Sequence, residues 1–72
     1  MTKEAFLKKL GQNIESVRKE AGLSQTEVAL RIGRPRQNVS RIEKGGHNPS
    51  AYVLYEIATV LKVSIKDLLD FK

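Results

Sequence analysis

A cluster of cationic and amide side chains lies in the middle of this 72-residue chain. Four of its five arginines fall within residues 31–41, and Gln37 and Lys44 lie in or just after the same stretch. An arginine guanidinium can donate two hydrogen bonds to O6 and N7 of guanine, and a glutamine amide can pair with adenine in a similar way. Such clustering is typical of a nucleic-acid contact, although charge alone leaves a solvated basic face as the alternative.

The net charge is unevenly distributed along the chain. It is +5 in total, of which residues 1–22 carry +2 and residues 23–50 carry +3, while the charges of residues 51–72 cancel. An anionic partner is therefore favoured, and the clustered arginines indicate a nucleic acid as the candidate, with a solvated basic face as the alternative.

Residue types needed for catalysis or metal binding are scarce. The chain has no cysteine, its single histidine is isolated, and its carboxylates are scattered along the sequence. No glycine-rich phosphate-binding loop is present. An enzyme is therefore not expected, and no metal ion or other cofactor is predicted. A chain of this length also leaves no room for a separate domain that binds a small-molecule ligand.

The N-terminus and the hydrophobic runs indicate where the chain works. The first residues carry mixed charge and lack the apolar run of a signal peptide. No apolar stretch approaches the roughly 18–20 residues that span a bilayer. Small secreted domains usually depend on disulfides, which this chain cannot form. We therefore predict one soluble domain, residues 1–72, in the cytoplasm and associated with the nucleoid rather than with a membrane.

The elements that position the cluster are predicted from apolar spacing. An amphipathic helix over about residues 4–21 is indicated by apolar residues three or four positions apart, namely Phe6, Leu10, Ile14, Val17 and Ala21. Gly22 is typical of a residue that ends a helix. A second helix begins after Ser24, because Glu27 completes a capping box, and Gly33 ends it.

Three further helices are predicted. A third helix occupies about residues 35–44, since proline is favoured at a first helical position. Ser50 is expected to cap a fourth helix, and Ser64 with Asp67 forms a second capping box that opens a short last helix. Apolar residues do not alternate with a period of two over a useful length, so no strand is expected. The predicted fold class is all-α with five helices.

The second and third helices have the spacing of a helix-turn-helix, over about residues 25–44. Gly33 can adopt the positive φ of a tight turn, the small Ala29 allows a close approach, and Val39 with Ile42 faces the core. Glu43 projects beside this buried side. Projection at 100° per residue gives an opposite side without a carboxylate, composed of Gln37, Ser40, Arg41 and Lys44 with Arg36 beside them.

The segments GLSQTEVALRIG (22–33) and RPRQNVSRIEKG (34–45) resemble the Cro/phage-repressor family of helix-turn-helix regulators, also called the XRE family. The closing segment, residues 48–69, is similar to the last helices of that family, so the resemblance covers nearly the whole chain. It implies a compact five-helix, lambda-repressor-like domain. It also implies that the chain binds operator DNA, usually as a dimer.

The resemblance and the helical projection together give the expected base contacts, which are Arg36, Gln37, Ser40 and Arg41. The resemblance further implies that Gln25 contacts a phosphate and that Arg18 forms an internal ion pair with Glu43. Relatives usually have a serine or threonine cap where this chain has Pro35, and we expect Arg34 to take over the phosphate contact of that cap. The other expected phosphate contacts are Asn38, Lys44, His47 and Asn48.

Apolar residues of the last helix and the tail predict a dimer interface, formed by Ile65, Leu68, Leu69 and Phe71. So short a helix is not expected to bury all of them within its own domain, and exposed apolar patches usually mark interfaces. For Phe71 a frayed tail and a core plug remain open as alternatives. Tyr52 and Tyr55 are expected to pack on the fourth helix rather than to stack on bases.

These patterns predict a transcription regulator, acting as a repressor, that reads a short inverted repeat through the helix at residues 35–44. One alternative is an antitoxin that controls its own promoter and binds a toxin protein. Another is a controller or activator that contacts RNA polymerase. A third is a protein-interaction domain that has lost DNA binding, and the basic outer side of the third helix argues against it.

Overall fold

Five helices form the architecture of residues 1–71, the part of the chain that the computed structural model describes. They are α1 (Lys3–Glu20), α2 (Gln25–Ile32), α3 (Arg36–Glu43), α4 (Ala51–Leu61) and α5 (Ile65–Leu68). Within residues 1–71 there is no strand, and none of these five helices is long and apolar enough to cross a membrane. The predicted all-α class is confirmed.

Side chains at the helix N-termini fix where the helices begin. The Ser24 hydroxyl accepts a hydrogen bond from the Glu27 amide, and the Glu27 carboxylate accepts one from the Ser24 amide at 2.8 Å. Ser64 and Asp67 repeat this arrangement at α5. The backbone hydrogen bond from each serine is the main reason that the pKa of Glu27 and the pKa of Asp67 are lowered. Both predicted capping boxes are confirmed.

A hydrophobic core lies between the helices. Its largest fully buried side chains are Leu10, Ile14, Val28, Val39, Ile42, Ile57 and Leu68. On α1 the buried side begins at Leu7, whereas Phe6 is 38% exposed and Ala21 is also exposed. The apolar spacing predicted the helix correctly but assigned Phe6 to the buried side, because two adjacent apolar residues fit the period almost equally well.

The last helix is buried more deeply than predicted. Leu68 is 0% exposed, and Ile65 and Phe71 are partly buried against the core, so only Leu69, at 41%, is exposed. The prediction that Leu68 belongs to a surface dimer interface is therefore wrong. α5 contacts both α1 and α4, and a single turn packed against two longer helices can bury the leucine at its C-terminal end completely.

The tail after α5 is held against α1. The Asn13 amide donates hydrogen bonds to the carbonyl oxygens of Asp67 and Leu68, at 2.9 and 2.8 Å. The ring centroid of Phe71 lies 5.5 Å from that of Phe6. Of the alternatives left open for Phe71, the structure shows packing against α1 and the core.

α1 crosses α3 at a glycine. A Cβ on Gly11 would lie 2.4 Å from the carbonyl oxygens of Ile42 and Glu43, a distance that no side chain tolerates. Gly11 therefore sets how closely α3 approaches α1. This role is not visible in the sequence, because a glycine inside a helix contributes nothing to the apolar pattern.

Candidate nucleic-acid interface

The backbone of the turn between α2 and α3 is set by Gly33 and Pro35. Gly33 ends α2 with φ of 70° and ψ of 34°, in the left-handed region, so the predicted positive φ is confirmed. Pro35 precedes α3 with φ of −62° and provides no side-chain hydrogen bond to the helix N-terminus. The turn therefore redirects the chain within three residues and leaves the start of α3 without a hydroxyl cap.

The outward side of α3 is basic and carries no exposed carboxylate. Val39 and Ile42 are each 1% exposed and face the core. Glu43, the acidic residue of α3, is also buried, at 6%. The side chains that face outward are Arg36, Gln37, Arg41 and Lys44, which are exposed, and Asn38 and Ser40, which are half-buried.

A buried ion pair holds α3 against α1. Arg18 Nε donates to Glu43 Oε2 at 2.6 Å, and Arg18 Nη2 donates to Glu43 Oε1 at 3.0 Å. Arg18 Nη1 donates to the carbonyl oxygen of Leu23 at 2.8 Å. The hydrogen bond to Glu43 raises the pKa of Arg18 against the opposing effect of burial, so the guanidinium stays charged. The ion pair that the resemblance implied is present.

Gln25 connects this ion pair to the outward side of α3. Its Nε2 donates to Glu43 Oε1 at 2.9 Å, and its Oε1 accepts a hydrogen bond from Arg36 Nη1 at 3.1 Å. A continuous chain of hydrogen bonds therefore leads from buried Arg18 to exposed Arg36. This bridge is not visible in the sequence, because its members come from three helices and share no local spacing.

Arg34 has a protein partner instead of a free guanidinium. Its Nη2 donates to Glu56 Oε1 on α4 at 3.3 Å. We had expected Arg34 to replace the missing hydroxyl cap as a phosphate contact, and the structure directs it to α4 instead. The Glu56 carboxylate beside the turn holds the guanidinium there. Because the two residues are 22 positions apart, no short sequence motif predicts their pairing. Arg34 is therefore not among the phosphate contacts that we propose.

The loop after α3 extends the polar surface and packs on α1. His47 and Asn48 are exposed, and Pro49 is buried. Gly45 has φ of 79°, and a Cβ on it would lie 2.9 Å from the Cα of Lys8. This close packing brings the exposed Lys8 to the edge of the surface formed by α3 and its loop. Sequence analysis did not assign Lys8 to the interface.

Comparison with known proteins shows to which family this arrangement of helices belongs. The helix-turn-helix family model matches residues 14–68, from the middle of α1 to the end of α5. The chain belongs to the helix-turn-helix family of transcription regulators. The resemblance found in the sequence is thereby confirmed.

Relatives in this family are similar over most of the chain. The uncharacterized HTH-type transcriptional regulator y4dJ of Sinorhizobium fredii is 43% identical over 61 residues, which cover 85% of this chain and 79% of that protein. The HTH-type transcriptional regulator SinR of Bacillus subtilis is 41% identical over 64 residues, which cover 88% of this chain and 58% of SinR. Both are named as regulators and neither as an enzyme, as the sequence predicted for this chain.

Solved structures of regulators have the same arrangement of helices. The restriction-modification controller protein C.AhdI from Aeromonas hydrophila has a TM-score of 0.86 and 34% identity, covering 89% of this chain and 97% of that one. SinR, described as the master regulator for biofilm formation and solved in complex with DNA, has a TM-score of 0.79 and 40% identity. That match covers 85% of this chain and 98% of the SinR chain. The predicted five-helix, lambda-repressor-like fold is confirmed.

Proposed function

We propose that this regulator binds double-stranded operator DNA in a sequence-specific manner, with α3 in the major groove, and represses the promoter that it covers. The observation that supports this most strongly is the outward side of α3, where Arg36, Gln37 and Arg41 are exposed while Glu43 is turned inward. A helix that is merely solvated usually interleaves acidic and basic residues. The similar SinR chain was solved in complex with DNA, which supports DNA as the ligand.

Base edges would be read by four residues of α3. Gln37 and Arg41 are exposed and lie one helical turn apart, and Ser40 lies beside them, half-buried. Arg36 differs from them, because Gln25 already holds its guanidinium in the free protein. A side chain that is held before binding loses less conformational entropy on forming its contact.

Phosphates would be contacted around this group of base-reading residues. Gln25 lies at the N-terminus of α2, where backbone amides favour an anion. The remaining phosphate contacts that we propose are Asn38, Lys44, His47 and Asn48, and we add Lys8 because the loop after α3 packs on it. Their number would make the affinity depend steeply on salt.

One α3 helix reads only half of an operator. We therefore propose that two copies bind a short inverted repeat, with half-site centres about 34–36 Å apart. Operators are part of the chromosome, so this function places the chain at the nucleoid in the cytoplasm.

Selection of bound sequences from a random DNA library, followed by titration of variants on the selected site, tests the readout. Arg41→Ala and Gln37→Ala should each weaken binding by about 1–3 kcal/mol and relax the preference at one base pair. Lys66→Ala, which removes an exposed charge from α5, is the control and should leave the preference unchanged. An Arg41→Ala protein that kept both affinity and base preference would contradict the placement of α3 in the groove.

The dependence of binding on salt tests the phosphate contacts separately. Lys44→Ala should weaken binding to all sequences alike and should reduce the slope of log K against log salt concentration by about 0.9. Lys66→Ala removes the same charge at α5 and should leave the slope unchanged. Equal slopes for wild type and Lys44→Ala would show that Lys44 contacts no phosphate.

A further inference from the structure

Gln25 lies between the buried ion pair and the exposed N-terminal end of α3. Its side chain is half-buried, and each polar atom of its amide has a partner within the protein. Nε2 lies 2.9 Å from Glu43 Oε1, and Oε1 lies 3.1 Å from Arg36 Nη1. The amide is therefore turned towards the protein. The phosphate contact proposed above for Gln25 accordingly belongs to the backbone amides at the start of α2.

The Glu43 carboxylate decides which way round this amide points. A carboxylate only accepts hydrogen bonds, and a guanidinium only donates them. The NH2 group of Gln25 must therefore face Glu43, and its carbonyl oxygen must face Arg36, as the structure shows. In the reverse orientation neither hydrogen bond could form, because oxygen would meet carboxylate and NH2 would meet guanidinium.

The position of the Glu43 carboxylate is itself fixed. It is 6% exposed, and Arg18 donates to both of its oxygens, at 2.6 and 3.0 Å. Glu43 Oε1 accepts from Arg18 and from Gln25 together. A buried carboxylate that cannot move therefore imposes one orientation on the Gln25 amide.

Holding Arg36 by a single nitrogen leaves its other donors for a base. Nη1 is bound to Gln25, and the guanidinium carries further N–H groups that can pair with O6 and N7 of guanine. An arginine without such a partner can turn to a phosphate instead, and a phosphate contact carries no sequence information. Arg36 begins α3, at the end of a recognition helix where side chains reach base edges.

We propose that Glu43 is a positioning residue for DNA readout, which through Gln25 holds Arg36 in the orientation that reads a base. This inference rests on the function proposed above. The Arg18–Glu43 pair then has a second role besides holding α3 against α1. Because Arg36 keeps its positive charge when the connection is broken, the loss should fall on base preference more than on electrostatic attraction to DNA.

The experiment measures discrimination, the ratio of the affinities for the selected operator and for the same operator changed at one base pair. Arg36→Ala identifies the base pair that Arg36 reads, where discrimination should fall roughly 5- to 150-fold. Gln25→Met has a side chain of similar length without an amide, and it leaves the buried pair intact. It should lower discrimination at the same base pair by at least about fivefold. It should have no effect at the base pair read by Arg41, and no further effect in the Arg36→Ala background.

Exchanging the two side chains tests Glu43 itself. Gln25→Glu places a carboxylate against Glu43, and Glu43→Gln lets the Gln25 amide turn round, so each variant alone should lose discrimination at the Arg36 base pair. The double variant should restore it, because a carboxylate at position 25 accepts from Arg36 and from the amide introduced at position 43. The double variant also has the net charge of wild type.

A control separates readout from stability. Ile57→Val removes a methyl group from a side chain that is 0% exposed, and it lowers stability without touching these four residues. It should keep full discrimination. Circular dichroism shows that each variant is folded at the temperature of the titration, and Gln25→Glu tests the role of Glu43 even if Glu43→Gln does not fold.

Three results would overturn the inference. The first is a Gln25→Met protein that binds all sequences more weakly to the same extent and keeps its discrimination, because the side chain would then contact a phosphate. The second is discrimination at the Arg36 base pair that survives in Gln25→Glu, or that a folded double variant fails to restore. The third is the absence of any base preference in wild type, which overturns the proposed function itself and is seen before any variant is made.

Discussion

The helix-turn-helix is held on two sides by contacts of different character. On one side α1 meets α3, where the backbones touch at Gly11 and the Arg18–Glu43 pair is closed at 2.6 Å with side chains 9% and 2% exposed. On the other side the turn after α2 meets α4 through the Arg34–Glu56 pair, at 3.3 Å with side chains 36% and 21% exposed. We refer to them as the α1–α3 contact and the α2–α4 contact.

The difference lies in how much each ion pair contributes to holding the helix-turn-helix. A buried ion pair is costly to break, because the remaining partner keeps its charge without a counterion. A solvent-exposed pair contributes little to stability. The α1–α3 contact therefore fixes the orientation of the recognition helix. The Arg34–Glu56 pair adds little to the position of α4, which is already fixed by the side that it buries in the core.

Loss of the buried Glu43 carboxylate should have the largest effect on the free energy of unfolding. Glu43→Ala should lower the free energy of unfolding by about 3–5 kcal/mol, because it leaves the Arg18 guanidinium buried without its partner. Denaturant unfolding monitored by circular dichroism measures this change. Since small domains have only about 5–15 kcal/mol of total stability, a large unfolded fraction is expected at moderate denaturant.

Two controls separate the ion pair from a general loss of charge. Glu15→Ala removes a carboxylate 4.0 Å from Arg18 that is 42% exposed, and it should cost no more than about 1 kcal/mol. The double variant Arg18→Leu, Glu43→Leu should recover most of the loss, because apolar residues of similar volume can replace a buried pair. A Glu43→Ala protein as stable as wild type would show that the pair does not hold α3.

A methyl group at the crossing of α1 and α3 should have the next largest effect. Gly11→Ala forces a Cβ to within 2.4 Å of backbone oxygens, so α3 must move, at a cost of about 1–3 kcal/mol. The same denaturant titration measures this cost, and the variant should also bind DNA more weakly than wild type. Gly46→Ala is the matched control, since its Cβ would meet its nearest atom at an ordinary 3.7 Å. Equal stability of the two variants would contradict the role of Gly11.

The features that local spacing encodes are predictable from the sequence. The two capping boxes were predicted correctly, because a serine and an acidic residue three positions later interact within one helical turn. The positive φ of Gly33 and the burial of Val39 and Ile42 were also predicted correctly, because each depends on neighbouring residues of a single turn or helix. The Arg18–Glu43 pair, in contrast, came only from the family resemblance.

Features that depend on packing between distant elements were missed. Gly11, the Gln25 bridge and Glu56 as the partner of Arg34 all join segments that are far apart in sequence. Leu68 was assigned to the surface because the length of α5 says nothing about how α1 and α4 enclose it. Tyr52 and Tyr55, which we expected to pack, are 64% and 56% exposed, because an apolar count along a helix does not show which side already fills the core.

The smallest effect should come from the α2–α4 contact. Glu56→Ala should lower the free energy of unfolding by about 0–1 kcal/mol, because the Arg34–Glu56 pair is partly exposed and water competes for both groups. The loss should also shrink as salt is added, since the screening length falls to about 3 Å at 1 M. Denaturant titrations of Glu56→Ala and Glu43→Ala, each at low and at high salt, measure both effects. The larger loss in Glu43→Ala should persist at high salt, because salt screens a buried pair much less than an exposed one. A loss above about 2 kcal/mol for Glu56→Ala that high salt leaves unchanged would place both contacts in the same class, and the distinction between a strong buried pair and a weak exposed pair would then fail.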